Sequence, residues 1–544
     1  MPEWRLREPP DELQRHWRAQ GFWTDEPLGR MIDRFLSALG DETFSVRSSV
    51  RPYQGTLADV HDLARRVRTG LEARGVRPGD VVAFQLPNWM EAAAVFWGAA
   101  MAGAVVAPIV HFYGHKEVAY ILRTSGARVL VTADRFGHQD FLGNLDAIGS
   151  DADALEHVFV VGDDVGGHQP FANLADAASD AGAAPAAVDV ANAALVAYTS
   201  GTTADPKGVV HTHRSIHAEV HQLSEMRGSG DLPMLVGAPV GHAIGMLSGL
   251  LIPLHRGHPI HLIDVWDPAA VLAAMAEDGL NGGSGSTFFV QSLIDHPDCT
   301  PAHRALMEKV GLGGSPVPAA FADRLAGLGI SIVRSFGCTE HPSITGSRHD
   351  DSGDQRMYTD GRPLPGVEVR IVDDDGHAVA PGIAGEIQSR GPDQFGGYTD
   401  ASLTASAFTS DGFFRTGDIG VLDERGCLAI TDRIADVIIR GGENISAAEV
   451  EEQLLRIEGI AEAAVVAAPD DRLGEHVCAF VRVAPGAAAP SLDAIRERLG
   501  AAGLARQKWP EEVREADDFP RTPSGKIKKF VLRERLRDGD SGHT

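Results

Sequence analysis

The feature that most constrains the fold is an alternation of amphipathic helix and short, wholly apolar strand through residues 57–132. Leu57, Val60, Leu63, Val67 and Leu71 recur at helical spacing and stop near Gly75. Pro78-Gly79 then turns the chain into the apolar run Val81–Leu86. A helix from Trp89, a strand near Val105, a helix over Lys116–Ser125 and a strand over Arg128–Thr132 continue the pattern. Strands that are apolar at every position need cover on both faces, which predicts parallel βαβ units in a doubly wound sheet. Ala92–Val110 carries no charge and has the length of a membrane span. Its Ala, Gly and Val content and Pro108 instead predict a helix to about Gly103 and a buried strand Ala104–Ile109.

Later regions differ. At 544 residues the chain exceeds what one core supports, so more than one domain is expected. Asp176–Val190, rich in alanine, reads as a surface connection. Past residue 350, Val367, Val369 and Ile371 alternate before the turn Asp373-Asp374-Asp375-Gly376. Gly385–Arg390 and Val421–Ile430, the latter with a turn at Glu424-Arg425-Gly426, add strands of a small antiparallel sheet or barrel. From Asp432 the pattern predicts a helix from Ser446 and strands around Ala463–Ala467 and His476–Val483. A linker Pro485–Pro490, a helix and a charged tail follow.

Composition narrows the function classes. A net charge of −26 opposes binding to nucleic acid and to anionic membrane surfaces. Cys299, Cys338, Cys427 and Cys478 have neither metal-ligand spacing nor the pattern of a disulfide framework. Met1–Pro10 is charged and has no apolar core of a secretory signal, so a cytoplasmic protein is expected.

The chemistry concentrates in Tyr198-Thr199-Ser200-Gly201-Thr202-Thr203-Ala204-Asp205-Pro206-Lys207-Gly208, directly after the apolar run Ala193–Ala197. Hydroxyls, glycines and one lysine in a turn offer backbone N–H groups, O–H donors and a cation to a polyphosphate. The P-loop pattern is not met, because Pro206 precedes Lys207 and Gly208 follows it. Four more constellations lie downstream. Ser335-Phe336-Gly337-Cys338-Thr339-Glu340 sets a ring for a purine, a hydroxyl for a phosphate and a carboxylate for Mg²⁺ within six residues. Arg415-Thr416-Gly417-Asp418 offers a carboxylate suited to both hydroxyls of a ribose. Arg433 begins a stretch that runs through Gly441-Gly442-Glu443-Asn444, and Arg521-Thr522-Pro523-Ser524-Gly525-Lys526 puts one lysine on a small-residue loop.

In this order and spacing, the constellations resemble the acyl-adenylate-forming superfamily, which includes acyl-CoA synthetases, peptide-synthetase adenylation domains and firefly luciferase. The resemblance runs from about Phe22 to Lys529. It implies an α/β fold: a large N-terminal domain of doubly wound mixed sheets with a small β-barrel subdomain, then a small mobile α+β C-terminal domain. The expected division is 1–432 and 433–544, with a hinge near Ala435. It implies two steps, formation of an acyl-adenylate and pyrophosphate from a carboxylic acid and MgATP, then transfer of the acyl group to a thiol with release of AMP.

The resemblance also assigns roles. Thr199, Ser200, Gly201, Thr202, Thr203 and Lys207 would hold the β- and γ-phosphates, with Thr339 beside them. Glu340, with Thr199, would hold Mg²⁺; Phe336 would stack on adenine, with Gly313, Ser335 and Gly337 alongside. Asp418 would take the ribose, Arg433 the ribose or phosphate side, and Lys526 would supply the positive charge for the first step. His242 would stand between acyl pocket and thiol tunnel; Phe288, Phe289, Gly314 and Gly337 would form pocket walls, and Gly441-Gly442 would line the tunnel for a pantetheine arm.

Departures are small: Ala204 stands where glycine is common, Phe336 where Tyr is common, and Ala435 at the hinge where Asp or Lys is common. Ser335–Pro342 and Ala197–His213 look most like the branch that makes CoA thioesters of cyclohexanecarboxylate and short or medium fatty acids. Ala243-Ile244-Gly245-Met246 offers no carboxylate to an amino group, which points to an uncharged fatty, alicyclic or aromatic acid. ATP, Mg²⁺ and CoA are the expected cofactors and co-substrates; homo-oligomerisation is left open. Two alternatives stay open, a stand-alone enzyme loading a carrier-protein thiol and a nucleotide-binding protein without ligase turnover.

Overall fold

The structure is a computed structural model that describes residues 4–149, 152–176, 183–199, 206–226, 231–470, 472–484, 486–522 and 525–537. Its centre is an eight-stranded sheet in the order Gly397–Tyr398, Gly208–Thr212, Ala193–Tyr198, Val105–Pro108, Val81–Gln85, Ala127–Ala133, His157–Val161, Gln169–Pro170. The strands from Ala193–Tyr198 to Gln169–Pro170 run parallel; the other two join antiparallel. Alternate residues of one strand enter different cores. Val82 and Phe84 pack with the helices Leu57–Ala73 and Met90–Met101, while Val81 and Ala83 pack with the helix His115–Ser125. That two-sided cover is why Val81–Gln85 is buried throughout, and each fully buried Val or Phe side chain contributes about 1.5–3 kcal/mol. Thr56 starts the first of these helices with a capping box to Asp59. The uncharged run divides as expected, into Met90–Met101 and Val105–Pro108.

Two four-stranded sheets follow on the same scaffold. One has the order Leu235–Val236, Ile260–Ile263, Thr43–Arg47, Tyr53–Thr56; the other has Lys309–Gly313, Ser331–Cys338, His341–Gly346, Arg362–Pro363. The small β region is an open antiparallel sheet ordered Glu368–Val372, Gly385–Arg390, Phe414–Leu422, Leu428–Arg433. The C-terminal region forms its own five-stranded sheet around Ile460–Asp470 and Gly474–Val483. It has two cores of its own, one on Val465, Val477 and Leu499, the other on Val466, Phe480 and Leu532. No helix among the described residues is long and apolar enough to cross a membrane.

Candidate active site

The phosphate-loop segment joins two antiparallel strands, Ala193–Tyr198 and Gly208–Thr212. It is therefore the tip of a hairpin, unlike the strand-to-helix turn of a P-loop. Its base is closed by Thr199 N–H donating to the Lys207 carbonyl at 3.0 Å and Lys207 N–H donating to Thr199 Oγ1 at 3.4 Å. Ser200, Gly201, Thr202 and Thr203 lie outside the described residues.

One cavity of about 1,940 Å³ collects the other predicted groups. Thr199, Lys207, Phe336, Glu340, Asp418 and Lys526 line it, as do His242, Phe289, Gly313 and Gly314, and the run Ser335–Thr339. Gly337 sits at an irregular step of the pairing between Ser331–Cys338 and His341–Gly346, so close to the Pro342 carbonyl that a Cβ would lie 1.8 Å from it. Only glycine allows that turn, and the turn presents Thr339 and Glu340.

His211 and Tyr398, distant in sequence, and the adjacent His341 fix this turn. The neutral ring of His211, its pKa pushed down to about 4 by burial, donates from Nε2 to the Thr339 carbonyl at 2.7 Å. Tyr398 Oη donates to Glu340 Oε1 at 2.7 Å, and Lys207 Nζ lies 5.5 Å over the same tyrosine ring. His341, fully buried, bonds Asp393 at 3.0 Å and Ser389 at 2.8 Å. Asp393 also accepts from Ser343 N–H at 3.1 Å, while Ser343 Oγ donates to Glu219 at 2.8 Å. Burial, then the nearby Asp393 charge, raises the Glu219 pKa well above the ordinary carboxylate value, which favours the protonated form.

Opposite charges meet in the cavity. Asp418 and Arg433 are cross-strand partners, with Nε–Oδ1 at 3.2 Å. Burial raises the Asp418 pKa, and Arg433 and Lys526 counter it. Lys526 lines the cavity and keeps an exposed surface there. Burial and then Arg433 lower its pKa, against the pull of Asp418, Cys338 and Glu340. Burial and the charge of Lys526 hold His242 at about 4. Its Nδ1 accepts the Ile244 N–H at 3.4 Å, which leaves the ring proton on Nε2. Burial and the nearby Glu340 and Asp418 push the Cys338 thiol well up, so it stays protonated and poorly nucleophilic.

The Lys526 loop is anchored at both sides. Thr522 N–H donates to the Lys526 carbonyl at 2.7 Å, and Arg521 pairs with Glu462 at 2.7 Å. Gly525, at φ +83°, packs so closely that a Cβ would lie 3.1 Å from Ser286 Oγ and 3.2 Å from Phe288 Cβ. Two groups expected at the acyl pocket or the tunnel do not line this cavity. Phe288 does not line the cavity; it is 40% exposed and lies between Gly525 and the Arg521 guanidinium, whereas Phe289 turns inward. Gly441 and Gly442 are also outside the cavity lining. Both have positive φ in the two-residue turn between Ile438–Arg440 and Glu443–Ile445, a conformation glycine adopts without strain.

Comparison with known proteins is consistent with this geometry. Residues 38–399 match the family described as AMP-binding enzyme, and residues 449–526 the AMP-binding enzyme C-terminal domain. The chain is 32% identical over 524 residues to the medium-chain fatty-acid–CoA ligase of Escherichia coli (strain K12), covering 96% of this chain and 92% of the relative. It is 34% identical over 498 residues to a Rhodococcus jostii (strain RHA1) CoA ligase named for a methyl-dioxo-octahydroindenyl propanoyl group, covering 89% and 94%. Among solved structures, ATP-bound MatB from Rhodopseudomonas palustris superposes with a TM-score of 0.83 at 28% identity, covering 94% of this chain and 99% of that one.

Proposed function

The chain belongs to the AMP-binding enzyme family, and from that premise we propose that it is an AMP-forming acid–CoA ligase for an uncharged, mainly apolar carboxylic acid. The observation that carries the reading is the convergence of Lys526, Asp418, Arg433, Glu340 and Lys207 on one cavity that continues along apolar walls. In the first step an acid carboxylate oxygen bonds to the α-phosphorus of ATP, and the bond to pyrophosphate breaks. Two anions must meet, so fixed positive charge directed at the reacting oxygens lowers the barrier. Lys526 supplies that charge, and Lys207 with the hairpin tip takes the terminal phosphates. Asp418 accepts the ribose hydroxyls, steadied by Arg433. In the second step the CoA sulfur bonds to the acyl carbon and AMP leaves with the shared oxygen. His242, neutral and carrying its proton on Nε2, stands beside the acyl carbon without adding charge.

The donor set fits a hard cation. Glu340 accepts the Tyr398 hydroxyl through Oε1, and Oε2 with the Thr199 and Thr339 hydroxyls offers oxygen ligands. Bound there, Mg²⁺ would neutralise phosphate charge. We place the boundary between the two domains at residues 432 and 433 and the hinge near Ala435. Arg533 Nη1 holds that segment, 3.3 Å from the Ala435 carbonyl and 2.7 Å from Asp436. The apolar acid is supported by Ile244 and Leu247 on the cavity wall and by the fatty and alicyclic groups in the relatives' names.

The test is acid-dependent exchange of labelled pyrophosphate into ATP across fatty, alicyclic and aryl acids. Exchange with apolar acids and none with amino acids is expected; exchange with no acid overturns the reading.

A further inference from the structure

The cavity extends well past the reacting centre. From His242 the chain runs as one helical segment through Ala243–Met246, Leu247–Leu251 and Ile252–Arg256, about 20 Å at about 1.5 Å per residue. Ile244, Leu247, Ser248, Ile252 and Arg256 all face the cavity, and Leu223 and Met226 of the helix His213–Met226 line it too. Glu219 and Ser248 also line this stretch, and at the Arg256 end an ion pair meets the apolar side chains. There Arg256 Nη2 lies 3.8 Å from Asp231 Oδ2, and Arg256 Nη1 donates to the Ser224 carbonyl at 3.1 Å. Both charged side chains line the cavity.

Asp231 Oδ1 is buried with no hydrogen-bond partner among the described residues. A buried acceptor left without a donor is costly, and a ligand that donates to it would remove that cost. The facing charges of Arg256 and Asp231 offset one another, so a second carboxylate gains little there and would sit against Asp231. A hydroxyl fits: its proton goes to Asp231 Oδ1 and its oxygen faces the guanidinium.

We propose that Asp231 and Arg256 form a distal subsite that selects long apolar acids carrying a hydroxyl at the end remote from the carboxylate. The proposal rests on the acid–CoA ligase reading above and names its substrate class.

The experiment compares kcat/KM for CoA-thioester formation from ω-hydroxydodecanoate, dodecanoate and dodecanedioate, with cyclohexanecarboxylate as an acid too short to reach the subsite. The wild-type protein is expected to favour the hydroxy acid over dodecanoate on the order of tenfold. In Asp231→Ala and Arg256→Met that ratio falls towards one. Because both acids meet the same preparation, a loss of folded protein cancels in the ratio; where a variant fails to fold, the wild-type ratio decides alone. A wild-type ratio of one, a preference for the diacid, or a ratio unchanged in both variants overturns the subsite. If cyclohexanecarboxylate is converted and the hydroxyl gains nothing, only the subsite falls. If no acid gives a thioester, the ligase reading falls and the subsite with it.

Discussion

Lys526 sits where burial and Arg433 disfavour its charge and where Asp418 and Glu340 favour it, with a net lowering of its pKa. A lowered pKa means the cation is lost earlier as pH rises, so acid-dependent adenylation should decline on the alkaline side with a midpoint below the ordinary lysine value of about 10.4. A pH profile of pyrophosphate exchange checks this, and a flat profile through that range would contradict it. Lys526→Ala should lower exchange by roughly a thousandfold while sparing thioester formation from preformed acyl-adenylate. Loss of both half-reactions in a folded variant would remove the role given to this lysine. Tyr398→Phe deletes the hydrogen bond to Glu340, and orienting partners of ligands are worth roughly 10–100-fold in metal affinity. The Mg²⁺ concentration that half-saturates ATP binding, followed by calorimetry, should rise by about tenfold. Glu340, Asp418, Lys207 and Lys526 were legible because each lies inside a short motif. Tyr398 was not, since it reaches Glu340 across 58 residues through an edge strand. His341 and Asp393 were hidden for the same reason, being 52 residues apart.

At the scale of elements, the loop that carries Lys526 depends on Gly525, because an added Cβ there would lie 3.1 Å from Ser286 Oγ and 3.2 Å from Phe288 Cβ. Gly525→Ala adds a Cβ at positive φ against both, and a displacement of about 1 Å in a reacting group can cost roughly 100-fold. Exchange activity should therefore fall by about 10–100-fold while transfer from preformed acyl-adenylate changes little; equal loss in both steps would count against this account. The helices and apolar strands of the first region were readable because a buried strand is apolar throughout and a covering helix repeats at 3.6 residues. The contact of Phe288 with the Lys526 loop joins residues more than 200 apart in sequence, and local pattern carries no information on such a contact. Gly441-Gly442, expected at the tunnel, form the turn between their flanking strands.

The whole molecule buries histidines in neutral form. His111, His211, His213, His242 and His255 are each held at about 4 by burial, from an ordinary 6.5. Between these values the unfolded chain binds protons that the folded chain does not, so stability rises with pH across the window and is lost as pH falls through it. The unfolding temperature should drop steeply from pH 6.5 to pH 4 and vary little just above it; a constant Tm across the window would contradict the burial of these rings. The pattern shift past residue 350 is followed by the antiparallel β sheet and the separate C-terminal sheet. The central claim concerns both parts acting on one cavity, and it is tested most directly by measuring AMP and acyl-CoA from ATP and apolar acids with and without CoA. The account predicts AMP and thioester in equal amounts only when acid and CoA are both present. Acid-dependent pyrophosphate release with no CoA thioester would contradict it and make a carrier-protein thiol the acceptor.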